Sequence, residues 1–130
     1  ILYRLVGSEM CIRDSNDALR CLQQTGAAGV MVGRGTMGAP WLVGQIDAAL
    51  AGRAVPSTPG PAERLQLAKE QLLALVEARG VHGLLIARKH MGWTCVGFPG
   101  APQLRHALMR APTPAEAVNL LDHQLDQVMA

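Results

Sequence analysis

The spacing of hydrophobic residues divides the chain into an irregular beginning, a short mixed segment and a long helical segment. Residues 1–15 follow no clear period, and we interpret them as a leader that lies outside the fold; the alternative is a short strand with a loop. Apolar residues recur at helical spacing over 17–24 and again over 41–50, which predicts two helices. Between them, residues 29–32 form an apolar run bounded by glycines, which is typical of a buried parallel strand.

The pattern after residue 61 is helical throughout. Residues 52–61 are rich in Pro and Gly, and we interpret them as a linker between two domains. Thr113 and Glu116 have the spacing of a capping box, with Pro114 at the first helical position of the last helix. The predicted helices span residues 61–79, 82–93, 102–110 and 114–129, and Gly83 is expected to interrupt the second of them near its start. The sequence therefore predicts a mostly α chain with a four-helix domain over 62–130.

Length and composition limit the classes of protein to which the chain can belong. It has 130 residues, whereas a complete (β/α)8 barrel needs roughly 250. Hydrophobic residues make up 49% of the chain and aromatic residues only 3%, a composition that favours helices over sheets. No apolar run is long enough to span a membrane. The three cysteines match no zinc-binding spacing, so we expect no metal and a reducing, cytoplasmic setting.

Charge is segregated along the chain, although the formal net charge is only +2. Residues 78–115 contain no Asp or Glu, so the cations in this stretch create a local positive field. The cations are Arg79, Arg88, Lys89, Arg105 and Arg110, and the stretch also contains His82, His90 and His106. Such a field indicates contact with nucleic acid, and the densest cluster lies at residues 88–90. The alternative is a solvated helix face, and we expect Trp93, one turn further on, to be mainly a packing residue.

A glycine-rich loop follows the predicted strand. Gly33, Gly35 and Gly38 satisfy the dinucleotide-binding pattern GxGxxG, but a second parallel strand ending in an acidic residue should then follow. A helix and a Pro/Gly linker follow instead, so we reject that interpretation. A phosphate-binding loop fits better, because glycines let backbone N–H groups approach an anion and Arg34 adds a guanidinium. The alternative is an ordinary tight turn.

Two segments resemble one enzyme family. Residues 25–42 (TGAAGVMVGRGTMGAPWL) are similar to the final-strand motif of the tRNA-dihydrouridine synthases, especially the bacterial B-type. Residues 87–93 (ARKHMGW) and 99–105 (PGAPQLR) resemble the C-terminal helical domain of the same family. The resemblance implies that residues 16–51 are the last βα unit of a TIM (β/α)8 barrel, and that residues 62–130 are a tRNA-binding helical domain.

The resemblance also implies an activity and a set of site residues. The family uses NADPH to reduce FMN, and the flavin then reduces a uridine of tRNA to 5,6-dihydrouridine. Gly33 and Arg34 match the pair that contacts the FMN phosphate in the family. We expect the chain to contact tRNA in the helical domain, through Arg88, Lys89, His90 and Arg105. The resemblance implies no metal and no membrane, and we expect the parent enzyme to be a monomer.

The chain departs from the family pattern at several positions. An Asn-Gly-Asp segment that binds FMN should fall at residues 9–11, where the sequence is Glu-Met-Cys. Thr94 stands where the family usually has Tyr. We assign no catalytic residue, because none of the three cysteines lies in the family's catalytic motif. Two alternatives therefore stay open, namely a stand-alone helical RNA-binding or protein-interaction module and the tail of another FMN-dependent TIM-barrel enzyme.

Overall fold

The computed structural model describes residues 12–130, and this part of the chain is mostly helical. It forms two compact units that divide after Thr58, inside the predicted linker. The first unit contains α1 (Ser15–Thr25), a 3₁₀ turn (Arg34–Thr36) and α2 (Trp41–Leu50). The second contains α3 (Pro61–Arg79), α4 (Val81–Thr94), α5 (Ala101–Arg110) and α6 (Pro114–Met129). None of the helices in residues 12–130 is both long and apolar enough to cross a membrane.

The small core of the first unit begins earlier than the sequence predicts. The Asp14 carboxylate accepts a hydrogen bond from the Asp17 N–H at 2.8 Å and caps α1, which therefore starts two residues before the predicted helix. Ile12 is only 1% exposed and belongs to the same core as Leu42 and Ile46. Residues 12–15 of the predicted leader thus belong to the folded unit. Residues 1–11 lie outside the described residues.

The segment 29–32 runs between α1 and the 3₁₀ turn without forming a strand. Val30 and Val32 pack against the core while Met31 is exposed, so the side chains alternate as they would in a strand. A β-strand is defined by hydrogen bonds to a neighbouring strand, and no segment within residues 12–130 pairs with this one. The predicted strand is therefore not confirmed.

The second unit is a four-helix domain whose core matches the predicted apolar spacing. α3 packs against both α4 and α6. Its buried residues recur every three to four positions, as the sequence predicts, and they are Leu65, Ala68 and Leu72. Lys69 and Asp122 form an ion pair at 2.7 Å between α3 and α6. At the start of α6, the Thr113 hydroxyl accepts a hydrogen bond from the Glu116 N–H at 3.3 Å, which confirms that part of the predicted capping box.

A tight turn at Gly80 joins α3 to α4. Gly80 has φ +61°, a backbone conformation that favours glycine. α4 then runs without a break from Val81 to Thr94, so the predicted interruption at Gly83 is wrong. Gly83 has another function, since a Cβ atom there would collide with the carbonyl group of Leu75 and lie 2.8 Å from the backbone nitrogen of Val76. The glycine therefore allows the backbones of the two helices to touch.

Candidate functional site

The glycine-rich loop of the first unit is held by hydrogen bonds within itself. The Thr36 hydroxyl donates to the Gly33 carbonyl oxygen at 2.7 Å, and the Thr36 N–H reaches the same oxygen at 3.1 Å. The Met37 N–H donates to the Arg34 carbonyl oxygen at 3.1 Å. These bonds form the single 3₁₀ turn, and they fix the loop before any ligand binds.

Gly35 brings the loop close to the core of its own unit. A Cβ atom at this position would lie 2.6 Å from the Ile12 carbonyl oxygen and 3.3 Å from Cδ2 of Leu42. The sequence pattern suggested that the glycines admit a phosphate. For Gly35 the structure provides an intramolecular reason, because the residue packs against backbone.

The groups that remain available at the loop suit an anion. Arg34 is exposed and forms no ion pair within residues 12–130. Within the same range, the N–H groups of Gly33, Arg34 and Gly35 have no hydrogen-bond acceptor. Neighbouring backbone N–H groups beside a guanidinium are a donor set that phosphate groups bind well. The loop therefore fits a phosphate group, and the assignment of Gly33 and Arg34 to the phosphate of FMN stays a prediction.

In the helical unit, Arg88 fastens α4 to the end of α5. Its Nη2 donates to the Ala111 carbonyl oxygen at 2.9 Å. Ala111 caps the C-terminus of α5, where helical carbonyls lack partners within the helix. The Nε of Arg88 is buried and has no acceptor within the described residues. Arg88 thus has a structural role, whatever else its guanidinium contacts.

Arg105 makes the reciprocal connection from α5 to the end of α4. Its Nη1 donates to the carbonyl oxygen of Cys95 at 2.9 Å, and Cys95 caps α4. The two arginines that the sequence assigns to RNA thus each hold a helix end. Their acceptors lie 23 and 10 residues away along the chain, so no local sequence pattern indicates these contacts.

An open groove of about 600 Å³ lies between α4 and α5, and we call it the basic groove. No acidic residue lines it, which agrees with the acid-free stretch of the sequence. Its lining residues are Lys89, Gly92, Trp93, Arg105, His106, Met109 and Arg110. The structure therefore brings together Lys89 and Arg105 of the four predicted RNA-contacting residues, while Arg88 and His90 lie outside the lining.

Trp93 is more exposed than the sequence suggested. It retains 40% of its surface, so it packs in part and also faces the basic groove. The His90 ring meets the Trp93 ring nearly edge-on, with centroids 5.4 Å apart and planes at 84°. Sequence reasoning missed His106 and Met109 as groove residues. The signal was the helical spacing, since His106 lies four residues before Arg110 and Met109 lies four residues after Arg105.

Cys95 is an unsuitable nucleophile at neutral pH. Burial raises the pKa of the Cys95 thiol from 9.0 to about 11, and the nearby Arg105 guanidinium offsets only part of that rise. The thiol consequently stays protonated and inside the core. Cys21 is half-buried in the first unit, and Cys11 lies outside the described residues. Residues 12–130 contain no group of three His, Cys, Asp or Glu side chains that could hold a metal ion.

Comparison with known proteins identifies the family. The family model for dihydrouridine synthase (Dus) matches residues 11–129. The chain is 46% identical over 111 residues to a probable tRNA-dihydrouridine synthase of Rhodobacter capsulatus, covering 85% of this chain and 34% of that protein. It is 43% identical over 108 residues to probable tRNA-dihydrouridine synthase 1 of Synechocystis, covering 83% of this chain and 30% of the relative. The chain thus spans about a third of the length of these relatives, and it belongs to the dihydrouridine synthase family of oxidoreductases.

Proposed function

We propose that this chain is part of an FMN-dependent oxidoreductase that reduces uridine in tRNA to 5,6-dihydrouridine with NADPH. The observation that carries the proposal is a family match over residues 11–129, which includes both the glycine-rich loop and the four-helix unit. In this proposal residues 16–51 are the last βα unit of a TIM barrel, and residues 62–130 bind tRNA. The parent enzyme is a cytoplasmic monomer.

The glycine-rich loop holds the flavin. Arg34 and the Gly33 N–H bind the phosphate of FMN, since neither has a partner within residues 12–130 and both lie in one fixed turn. Bound FMN supplies hydride-transfer chemistry. The loop positions the cofactor and takes no part in the chemical step, because binding the phosphate to a rigid turn fixes where the rest of FMN can lie.

The helical unit holds the tRNA. Lys89 is exposed and lines the basic groove, so its ammonium is available to a phosphate. Arg105 enters the groove already tied to Cys95 by one hydrogen bond, which lowers the entropy lost on binding an anion. Arg88 contributes to the same positive field and also fixes the helix ends, and His90 follows Lys89 on the same helix. The support is the acid-free stretch of the sequence together with this groove.

The proposed activity can be tested in a chimera. Residues 12–130 of this chain would replace the matching segment of the Rhodobacter capsulatus relative, to which the chain is 46% identical. We expect the chimera to purify with FMN and to form dihydrouridine in tRNA that lacks the modification, measured by mass spectrometry of tRNA digests. The unaltered relative is the positive control. A well-folded chimera that binds FMN but leaves uridine unchanged would contradict the proposed contribution of the helical unit.

Removing the Lys89 charge is expected to weaken tRNA binding by the full 130-residue chain. Loss of one phosphate contact should reduce the slope of log affinity against log salt by about 1 and the affinity by roughly three- to tenfold at low salt. Filter binding of Lys89→Ala across a salt series measures both quantities. Arg79→Ala is the matched control, since Arg79 is an exposed cation of the same acid-free stretch outside the groove. Equal effects of both substitutions would show that only general charge matters.

A further inference from the structure

The basic groove combines features that select a particular form of nucleic acid. We propose that it holds one unpaired nucleotide of RNA, with the base against Trp93 and the flanking phosphates at Lys89, Arg105 and Arg110. This inference rests on the proposed function, because it takes RNA as the ligand of the helical unit. It goes further by naming the pocket, the single-stranded form of the ligand and the stacking residue.

The size of the groove suits a single nucleotide. Its volume of about 600 Å³ lies within the roughly 300–1,000 Å³ of pockets that enclose small organic ligands. Both walls are helix faces, with Gly92 and Trp93 on α4 and Met109 on α5. A Cβ atom at Gly92 would lie 3.0 Å from Cε of Met109, so the glycine keeps this part of the groove open. A base within a duplex is already stacked on both faces, so it cannot present a face to Trp93.

Trp93 provides the surface on which a base can stack. It is 40% exposed although the His90 ring braces it at a centroid distance of 5.4 Å. Met109, which is 43% exposed, adds an apolar and polarisable neighbour. Leaving two large side chains open to water is unfavourable for an isolated domain, and a stacked base would cover them. Stacking on an aromatic side chain contributes on the order of 1–3 kcal/mol per base.

The cations around Trp93 favour a phosphate on either side of the base. Arg105 is fixed by its bond to the Cys95 carbonyl oxygen, and Arg110 meets the Nδ1 atom of His106 at 3.3 Å. Lys89 lies on the opposite helix. Cations on both walls with an aromatic ring between them match the repeating phosphate–base–phosphate pattern of a single strand. An acidic peptide would use the cations but would have no need of the exposed ring.

Fluorescence of Trp93 tests the proposal directly. The chain contains two tryptophans, so a Trp41→Phe background leaves Trp93 as the only one. The probes are a short oligouridylate and an abasic oligonucleotide of the same length and charge, each titrated into the full chain. We expect the oligouridylate to quench Trp93 and to bind at least about fivefold more tightly than the abasic strand. A poly-glutamate peptide of equal charge tests the acidic-peptide alternative and should leave the fluorescence unchanged.

Three variants, whose affinities are measured by filter binding, link the preference for a base to the groove. Trp93→Ala should bind the oligouridylate no better than the abasic strand, whereas Trp93→Phe should retain most of the preference because it keeps an aromatic ring. Gly92→Ala should push the Met109 side chain into the groove and weaken oligouridylate binding. Alanine also favours the helix, so this variant should be no less stable than the parent, which separates loss of binding from loss of fold. Circular dichroism and thermal melting verify the fold of all three.

The outcomes distinguish this inference from the proposed function. Binding of tRNA that depends on Lys89, combined with equal affinity for the oligouridylate and the abasic strand, would overturn the nucleotide pocket and leave the tRNA-binding role intact. Quenching by the peptide would overturn the choice of RNA. Failure of the well-folded chain to bind either tRNA or oligonucleotide would refute both the pocket and the tRNA-binding role of the helical unit.

Discussion

Replacing Gly83 by alanine is expected to lower the free energy of unfolding of the helical unit by about 3 kcal/mol. The added Cβ atom would meet the Leu75 carbonyl group and the Val76 nitrogen, which are backbone atoms of α3 and cannot rotate away. α3 and α4 would have to move apart, and the buried contacts around Leu72 and Leu84 would loosen. Chemical denaturation of the full chain, followed by helical circular dichroism, measures the loss.

The matched control is Gly92→Ala in the same helix. There the new methyl group meets only Cε of Met109, the far end of a flexible and partly exposed side chain. The intrinsic gain of roughly 0.5–1 kcal/mol from replacing a helical glycine should then dominate, so this variant should be at least as stable as the parent. If Gly83→Ala were as stable as Gly92→Ala, the close contact between the two helix backbones would be wrong.

The helices could be predicted from the sequence because their signals are local. Apolar residues at helical spacing marked α3, as Leu65, Ala68 and Leu72 show, and Thr113 marked the start of α6. Gly83 shows where local reasoning stops. A glycine near a helix start predicts an interruption, but the residue lies inside a continuous helix and serves a contact with another helix.

Parts of the candidate site depended on partners that are distant along the chain. Arg88 and Arg105 were selected for their charge, but their bonds to Ala111 and Cys95 are visible only in three dimensions. Trp93 was expected to be mainly a packing residue. The spacing of residues along the sequence cannot show that α4 and α5 leave a groove beside it. The strand predicted at residues 29–32 was not confirmed for the same reason. Strand formation depends on a neighbouring segment, and hydrophobic periodicity does not identify that segment.

Removing the Arg34 side chain is expected to lower the FMN affinity of the chimera by about ten- to hundredfold. A charge-assisted hydrogen bond between a guanidinium and a phosphate contributes roughly 1.5–3 kcal/mol, and alanine leaves only the backbone N–H groups of the loop. The substitution should not disturb the turn, because Arg34 is exposed and the bonds from Thr36 hold the loop. Quenching of FMN fluorescence during titration into the apo-chimera measures the dissociation constant.

Two further variants show whether the loss is specific to Arg34. Arg53→Ala removes another exposed arginine of the same unit, one that is paired with Asp47 at 2.6 Å, and it should leave FMN affinity unchanged. Arg34→Lys keeps the charge but cannot form bidentate hydrogen bonds, so its FMN affinity should fall between those of the parent and Arg34→Ala. Unchanged FMN affinity in Arg34→Ala would favour the alternative interpretation, in which the glycine-rich loop is an ordinary tight turn. The phosphate would then have to be held by backbone N–H groups alone, and the exposed guanidinium would have no function in cofactor binding.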